Sequence, residues 1–132
     1  MDKDKFLKEQ KVLRLATVGR DETPHIVPVW YRFTSNLFHI GTNTRTKKVH
    51  NIMKNPNVCL LIDVGINSPD INGVMITGYA EIITQKKIVE KIAKEILDRY
   101  YNSLENEAAQ KLLKDTDCII QVSERASSSW SY

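Results

Sequence analysis

The first ten residues, "MDKDKFLKEQ", are mostly charged around one apolar pair, which predicts a short helix with Phe6 and Leu7 turned inward. "KVLRLATVG" then alternates, with Val12, Arg14, Ala16 and Val18 on one face and Leu13, Leu15 and Thr17 on the other, as a strand does. "GRDETP" reads as a turn. "HIVPVWYRF" follows, rich in β-branched and aromatic residues. Pro28 within it points to a sheet edge or a bulge, because proline has no N–H to give to a ladder. "TSN" turns the chain into "LFHIGT", so these three runs predict an antiparallel meander.

After Thr42 the period changes. Val49, Ile52 and Met53 recur at helical spacing, predicting a short amphipathic helix between Arg45 and Asn55. Thr44 or Thr46 supplies its N-cap, and Asn55-Pro56 stops it. "NVCLLIDV" is apolar almost throughout, which predicts a fourth strand covered on both faces. The fifth strand is "VMITGYAEII", where Gly78 marks a bend or a close approach by other backbone or a ligand. "TQKKIVEKIAKEILDRYYNSL" is the one long helix, with Ile88, Val89, Ile92, Ile96 and Leu97 on its apolar face. "NEAAQKLLK" adds a turn or two, "DCIIQVS" is the sixth strand, and "SERASSSWSY" is a serine-rich tail. Six strands and two or three helices, without regular β-α-β alternation, predict a mainly β fold: an antiparallel β-barrel with peripheral helices. No linker interrupts it, so residues 1–132 read as one domain.

Composition narrows the function classes. Nineteen Lys+Arg against 16 Asp+Glu give a net charge of +3, too mild a balance to suggest nucleic-acid binding. Cys59 and Cys118 sit in apolar runs and no CxxC occurs, which speaks against a zinc or redox pair. His25, His39 and His50 lack the spacing of metal ligands, and neither paired carboxylates nor a GxSxG nucleophile motif is present. No stretch approaches the roughly 20 apolar residues of a membrane span, and the N-terminus lacks a signal-peptide core. The expectation is a soluble cytoplasmic protein.

One stretch carries chemistry. "TNTRTKK", Thr42 to Lys48, holds three threonines, one asparagine and three cations, with no acid and no apolar residue, where a strand gives way to a helix. The first N–H groups of a helix lack partners and its dipole favours an anion there. Cations at that end oppose the dipole by roughly 0.3–1 kcal/mol each, so a purely structural helix would carry acids instead. Hydroxyls and ammonium groups at this place suit a phosphate. Lys47 and Lys48 are adjacent and cannot point the same way.

In order and spacing, "LRLATVGRDETPHIVPVWYRF", "LFHIGTNTRTKKVHNIMKNPNVCLLID" and "VMITGYAEII" resemble the pyridoxamine 5'-phosphate oxidase-like split barrels. The resemblance is firm over residues 5 to about 84 and continues more weakly to "SSSWSY". It implies a six-stranded antiparallel split β-barrel that binds FMN or, in one branch, a deazaflavin coenzyme. It also implies a homodimer with a flavin in each of two interface grooves. By the same resemblance, the side chains of Thr46, Lys47 and Lys48 hold the flavin phosphate and Thr42 lines the flavin. The backbone of the strand from His25 through Ile26, Val27, Pro28 and Val29 to Trp30 runs along the isoalloxazine ring. Pro28 and Val29 then offer carbonyl or apolar contacts, and Trp130 closes the site from the partner chain. Tyr31 stands where the true oxidase has a substrate-binding lysine, and the arginine-x-histidine pair of that enzyme has no counterpart in "SERASSSWSY". The resemblance therefore implies the fold and the cofactor groove, not the vitamin substrate.

The first functional expectation is an FMN-dependent oxidoreductase acting by hydride transfer on a small molecule. The deazaflavin coenzyme is the alternative cofactor; its acidic tail calls for further cations, for which Arg20, Arg32 and Arg45 are available. A flavin-binding module without turnover, such as a sensor or carrier, and an apo structural dimer are the competing readings.

Overall fold

Two strands that follow each other in the chain lie at opposite edges of one sheet, and the shape of the molecule follows from that. In the computed structural model, which describes residues 1–132 throughout, the strands are β1 (Leu13–Val18), β2 (Pro24–Val29), β3 (Arg32–Thr34), β4 (Leu37–Thr42), β5 (Asn57–Val64), β6 (Asn72–Ile83) and β7 (Cys118–Ser131). They form a single sheet in the order β2-β1-β5-β6-β7-β4-β3, antiparallel throughout. Only Trp30 and Tyr31 separate β2 from β3, a link of roughly 10 Å at about 3.5 Å per residue. A flat seven-stranded sheet would hold its edges much farther apart, so this one curls until they nearly meet. The fold is a mainly β split barrel, open between β2 and β3.

The expected six strands are thus seven, because "HIVPVWYRF" breaks at Trp30. The meander is interrupted at the same point: β2 pairs with β1 and β3 with β4, but β2 and β3 do not pair. Side chains take over the backbone groups of Tyr31 there. Its N–H donates to the Tyr100 hydroxyl at 3.0 Å, and its carbonyl accepts from the Arg99 guanidinium. Pro28 lies in edge strand β2, as its missing N–H requires. The serine-rich tail is no loose end, since β7 runs on to Ser131 beside β6. Gly78 sits at the one register shift between them, where an added Cβ would lie 2.7 Å from the Ser123 carbonyl oxygen.

Four helices dress the barrel: α1 (Lys3–Glu9), α2 (Lys47–Lys54), α3 (Lys86–Leu97) and α4 (Glu107–Asp115). Phe6 and Leu7 of α1 are buried, as their spacing predicts. The long helix ends at Leu97, short of its expected length. Arg99 is drawn away to the carbonyls of Lys8 and Gln10, both at 2.8 Å, and the Tyr100 hydroxyl donates to Lys11 O at 2.8 Å. Asn106 then caps α4, accepting from the Ala108 N–H at 2.8 Å.

Leu13, Leu15, Val58, Leu60, Ile62, Val74 and Ile76 fill the barrel with Tyr31 and Phe38. The opposite face of β5 is only half covered at Cys59 and Leu61, which departs from the expectation of cover on both faces. On this outer face Ala16, Cys59 and Leu61 are half-buried, and Ile26, Met75 and Tyr79 are exposed within one chain. α2 packs against β1 and β6. A buried hydrogen bond of 3.0 Å from the Asn51 side-chain amide to the Thr17 hydroxyl pins it to the barrel.

Candidate functional site

The stretch that links β4 to α2 is held by acids from far along the chain. Asp117 accepts from the Thr44 N–H at 2.8 Å and from its hydroxyl at 3.1 Å. Asp115 accepts from Arg45 at 3.2 Å and from the Asn43 side-chain amide at 3.3 Å. Asn43, Thr44 and Arg45 are therefore committed within the protein. Thr46 is the N-cap residue, but its hydroxyl donates to Asn43 O at 3.0 Å rather than capping α2. The first turn of α2 holds no acid, and neither Lys47 nor Lys48 has an ion-pair partner.

Lys48 is half-buried, and loss of hydration pushes its ammonium below the usual lysine pKa. Keeping such a group without a counter-charge costs stability unless an anion arrives. It lines a cavity of about 380 Å³ together with Pro28, Val29, Trp30, Gly41 and Leu112. That volume falls within the usual range for small-molecule sites. The Trp30 ring is fixed by parallel stacking on Tyr100, centroids 4.2 Å apart and planes 5° apart, with Tyr101 edge-on at 5.8 Å. Burial pushes the neighbouring Cys118 thiol up to about 11, so it stays neutral and gives Lys48 no counter-charge.

Pro28, Val29 and Lys48 thus share one cavity with Val12, whereas Thr42 and Thr46 do not line it. His25, Val27 and Val29 point to the inner face of β2, paired with Thr17, Leu15 and Leu13. Ile26, 62% exposed, points to the outer face. β2 pairs along one side only, so the main chain from His25 to Val29 offers an open edge. Nδ1 of His25 is buried without a hydrogen-bond partner. Lys47 faces away from Lys48, into a second cavity. Trp130 is remote within the chain: its ring covers Gly73, twelve residues along β7 from the Cys118 that pairs with Thr42, or roughly 40 Å at about 3.3 Å per residue.

Gly41 and Leu112 escape a reading of the sequence. Gly41 looks like an ordinary strand residue, and Leu112 belongs to a helix 64 positions beyond Lys48. Of the three arginines open to an acidic ligand, Arg45 is paired with Asp115 and Arg32 with Glu95, which leaves Arg20. His39 is buried, with Arg32 donating to its Nδ1 at 3.0 Å and its Nε2–H donating to Gln121 at 2.9 Å.

The sequence profile described as "Pyridoxamine 5'-phosphate oxidase" matches residues 3–126. No curated protein matches the chain in sequence. Among solved structures, the conserved hypothetical protein Rv2991 from Mycobacterium tuberculosis superposes with a TM-score of 0.86 at 21% identity, covering 99% of this chain and 84% of that one. An F420 reductase superposes at 0.73 with 23% identity, covering 95% and 94%. HutZ, the heme storage protein from Vibrio cholerae, superposes at 0.76 with 13% identity, covering 98% and 92%. These three likenesses extend to the fold. The profile spans nearly the whole sequence, and the curled antiparallel sheet is the split barrel that the resemblance implies: the chain belongs to the pyridoxamine 5'-phosphate oxidase family.

Proposed function

We propose that the protein binds FMN in the Trp30 cavity and works as a flavin-dependent oxidoreductase on a small molecule in the cytoplasm. The observation that carries this reading is Lys48, a half-buried cation without an acid partner at the start of α2, opening onto a cavity walled by Trp30, Val29 and Gly41. The residues fit the cofactor. Lys48 and the uncapped N–H groups of α2 supply the charge-assisted donors that a phosphoryl group needs. The open edge of β2 supplies polar main chain for a ring edge, and Trp30 supplies an apolar wall. Bound flavin would contribute the hydride chemistry; the chain would bind, orient and exclude water, in keeping with a site that needs no acid–base pair.

A homodimer completes the proposal. The outer face of the sheet carries, in one row across five strands, Ile26, Ala16, Cys59, Thr77 and Ala126, flanked by Met75 and Tyr79, which are 40% and 45% exposed. A partly exposed sheet face of small and apolar side chains suits a second copy of itself. In such a dimer Trp130, far from Lys48 in its own chain, would approach the partner's groove.

The deazaflavin coenzyme is the second reading for the same groove, favoured by the likeness to the F420 reductase and by the free Arg20. Haem storage, named for the Vibrio relative, would not draw on His39. Both ring nitrogens of the buried His39 are engaged and cannot reach iron without breaking those bonds. The test is the absorption spectrum and mass of the small molecule that co-purifies, with the FMN dissociation constant of the stripped protein. A flavin spectrum with binding in the micromolar range or tighter supports the proposal. A haem Soret band, or no affinity for either flavin, overturns it.

A further inference from the structure

Gly41 sits inside β4 with no structural need to be a glycine. Its φ lies outside the left-handed region, and an added Cβ would rest at ordinary contact, 3.4 Å from the Thr116 methyl and 3.9 Å from Cδ1 of Ile96 and of Ile119. At Gly73 and Gly78 the same atom would lie 2.3 and 2.7 Å from its nearest neighbour. A glycine within a strand weakens it, and alanine at this position would meet no clash. What the missing Cβ leaves is space. A chamber of about 80 Å³ lies between β4, α3 and α4, with Ala93, Ile96 and Leu97 at its base and Thr116 at its side. Thr116 brings the only side-chain oxygen, and its hydroxyl donates to Leu112 O at 2.7 Å while its methyl faces Gly41. An apolar void of this kind stays dry and accepts apolar guests.

Trp30, Gly41 and Leu112 line both this chamber and the Trp30 cavity, so the two spaces adjoin across those residues. Trp30 and Leu112 are 38% and 41% exposed, whereas Ala93, Ile96 and Leu97 behind them are buried. We propose that the chamber is the specificity pocket of the site and takes a short branched alkyl group of the substrate, which enters between Trp30 and Leu112. Gly41 sets the depth of the pocket. This names the substrate class within the flavin reading and rests on that reading. An anionic substrate end finds no matching provision on this side of Trp30. Arg99, next to the Tyr100 on which Trp30 stacks, is already engaged by the carbonyls of Lys8, Gln10 and Tyr31.

The test fills the chamber in one variant and deepens it in another. Wild type, Gly41→Ala and Ile96→Val, labelled with carbon-13 in their methyl groups and with nitrogen-15, are titrated with xenon, isopropanol, isobutanol and neopentyl alcohol, with and without FMN. In wild type, xenon and at least one alcohol should shift the methyl signals of Ala93, Ile96 and Leu97 saturably, whether or not FMN is bound. Gly41→Ala should melt no lower than wild type yet bind these probes at least tenfold more weakly. Ile96→Val should raise the affinity for neopentyl alcohol relative to isopropanol at least threefold. The proposal is overturned if no probe shifts those signals, if Gly41→Ala binds the probes as well as wild type or melts lower, or if Ile96→Val leaves the ratio unchanged. It is also overturned if FMN expels the probes, because the chamber would then belong to the cofactor. The flavin reading fails separately, if FMN shifts no signal at Trp30 or Lys48.

Discussion

Replacing Lys48 by methionine keeps an unbranched stem in the Trp30 cavity and deletes the ammonium. The structure assigns opposite signs to its two consequences. In the ligand-free protein this ammonium is half-buried, loses hydration and meets no carboxylate, so its removal relieves a cost. The apo protein should melt at the same temperature as wild type or higher. With FMN the change deletes one charge-assisted contact, worth about 1.5–3 kcal/mol. At about 1.4 kcal/mol per decade, the FMN dissociation constant should rise about 10- to 150-fold. Calorimetry gives the melting temperature and flavin fluorescence gives the affinity, on the same samples. A lysine kept for packing would behave the other way, lowering the melting temperature and leaving affinity alone. A dissociation constant within twofold of wild type would refute the assignment of Lys48 to the phosphoryl group.

Burial, and secondarily the Arg32 charge, hold His39 below its ordinary pKa of 6.5 against an opposing bond from Gln121, so below that pH the unfolded chain takes up the proton first. Its contribution to stability is therefore full above about pH 6.5 and falls as pH drops toward the folded value, by at most about 1.4 kcal/mol per pH unit; urea midpoints from pH 7.5 to 5.5 should fall more steeply for wild type than for His39→Gln. Asn51→Leu removes the donor to the buried Thr17 hydroxyl and should cost about 1–3 kcal/mol in urea unfolding, with part recovered in Thr17→Val/Asn51→Leu, where no polar partner is stranded. Gly78→Ala would set a Cβ 2.7 Å from the Ser123 carbonyl oxygen and should lower stability by about 1–3 kcal/mol, seen as a lower melting temperature; an unchanged value would mean that the bulge yields freely.

Local chemistry was legible in the sequence wherever its cause was local. The alternation of Leu13, Leu15 and Thr17 against Arg14 and Ala16, the edge position of Pro28 and the special geometry at Gly78 each follow from one residue's own constraints. What stayed hidden depends on distant partners. The break at Trp30 exists because Arg99 and Tyr100 satisfy the main chain of Tyr31, nearly 70 residues away. The acids that occupy Thr44 and Arg45 come from Asp117 and Asp115, so a run that looks wholly free for an anion is partly spent within the protein. Adjacent lysines had to diverge, but only the packing of α2 against β1 and β6 decides which of them meets Trp30 and which meets Arg20.

The most direct test uses Trp30 as its own reporter. In Trp130→Phe it is the sole tryptophan, placed in the cavity wall beside Lys48. FMN should quench its emission saturably, at one flavin per chain, and riboflavin, which lacks the phosphoryl group, should need at least a tenfold higher concentration. Equal quenching by the two flavins, or none by either, would contradict a phosphoryl group gripped by Lys48 at the mouth of the Trp30 cavity.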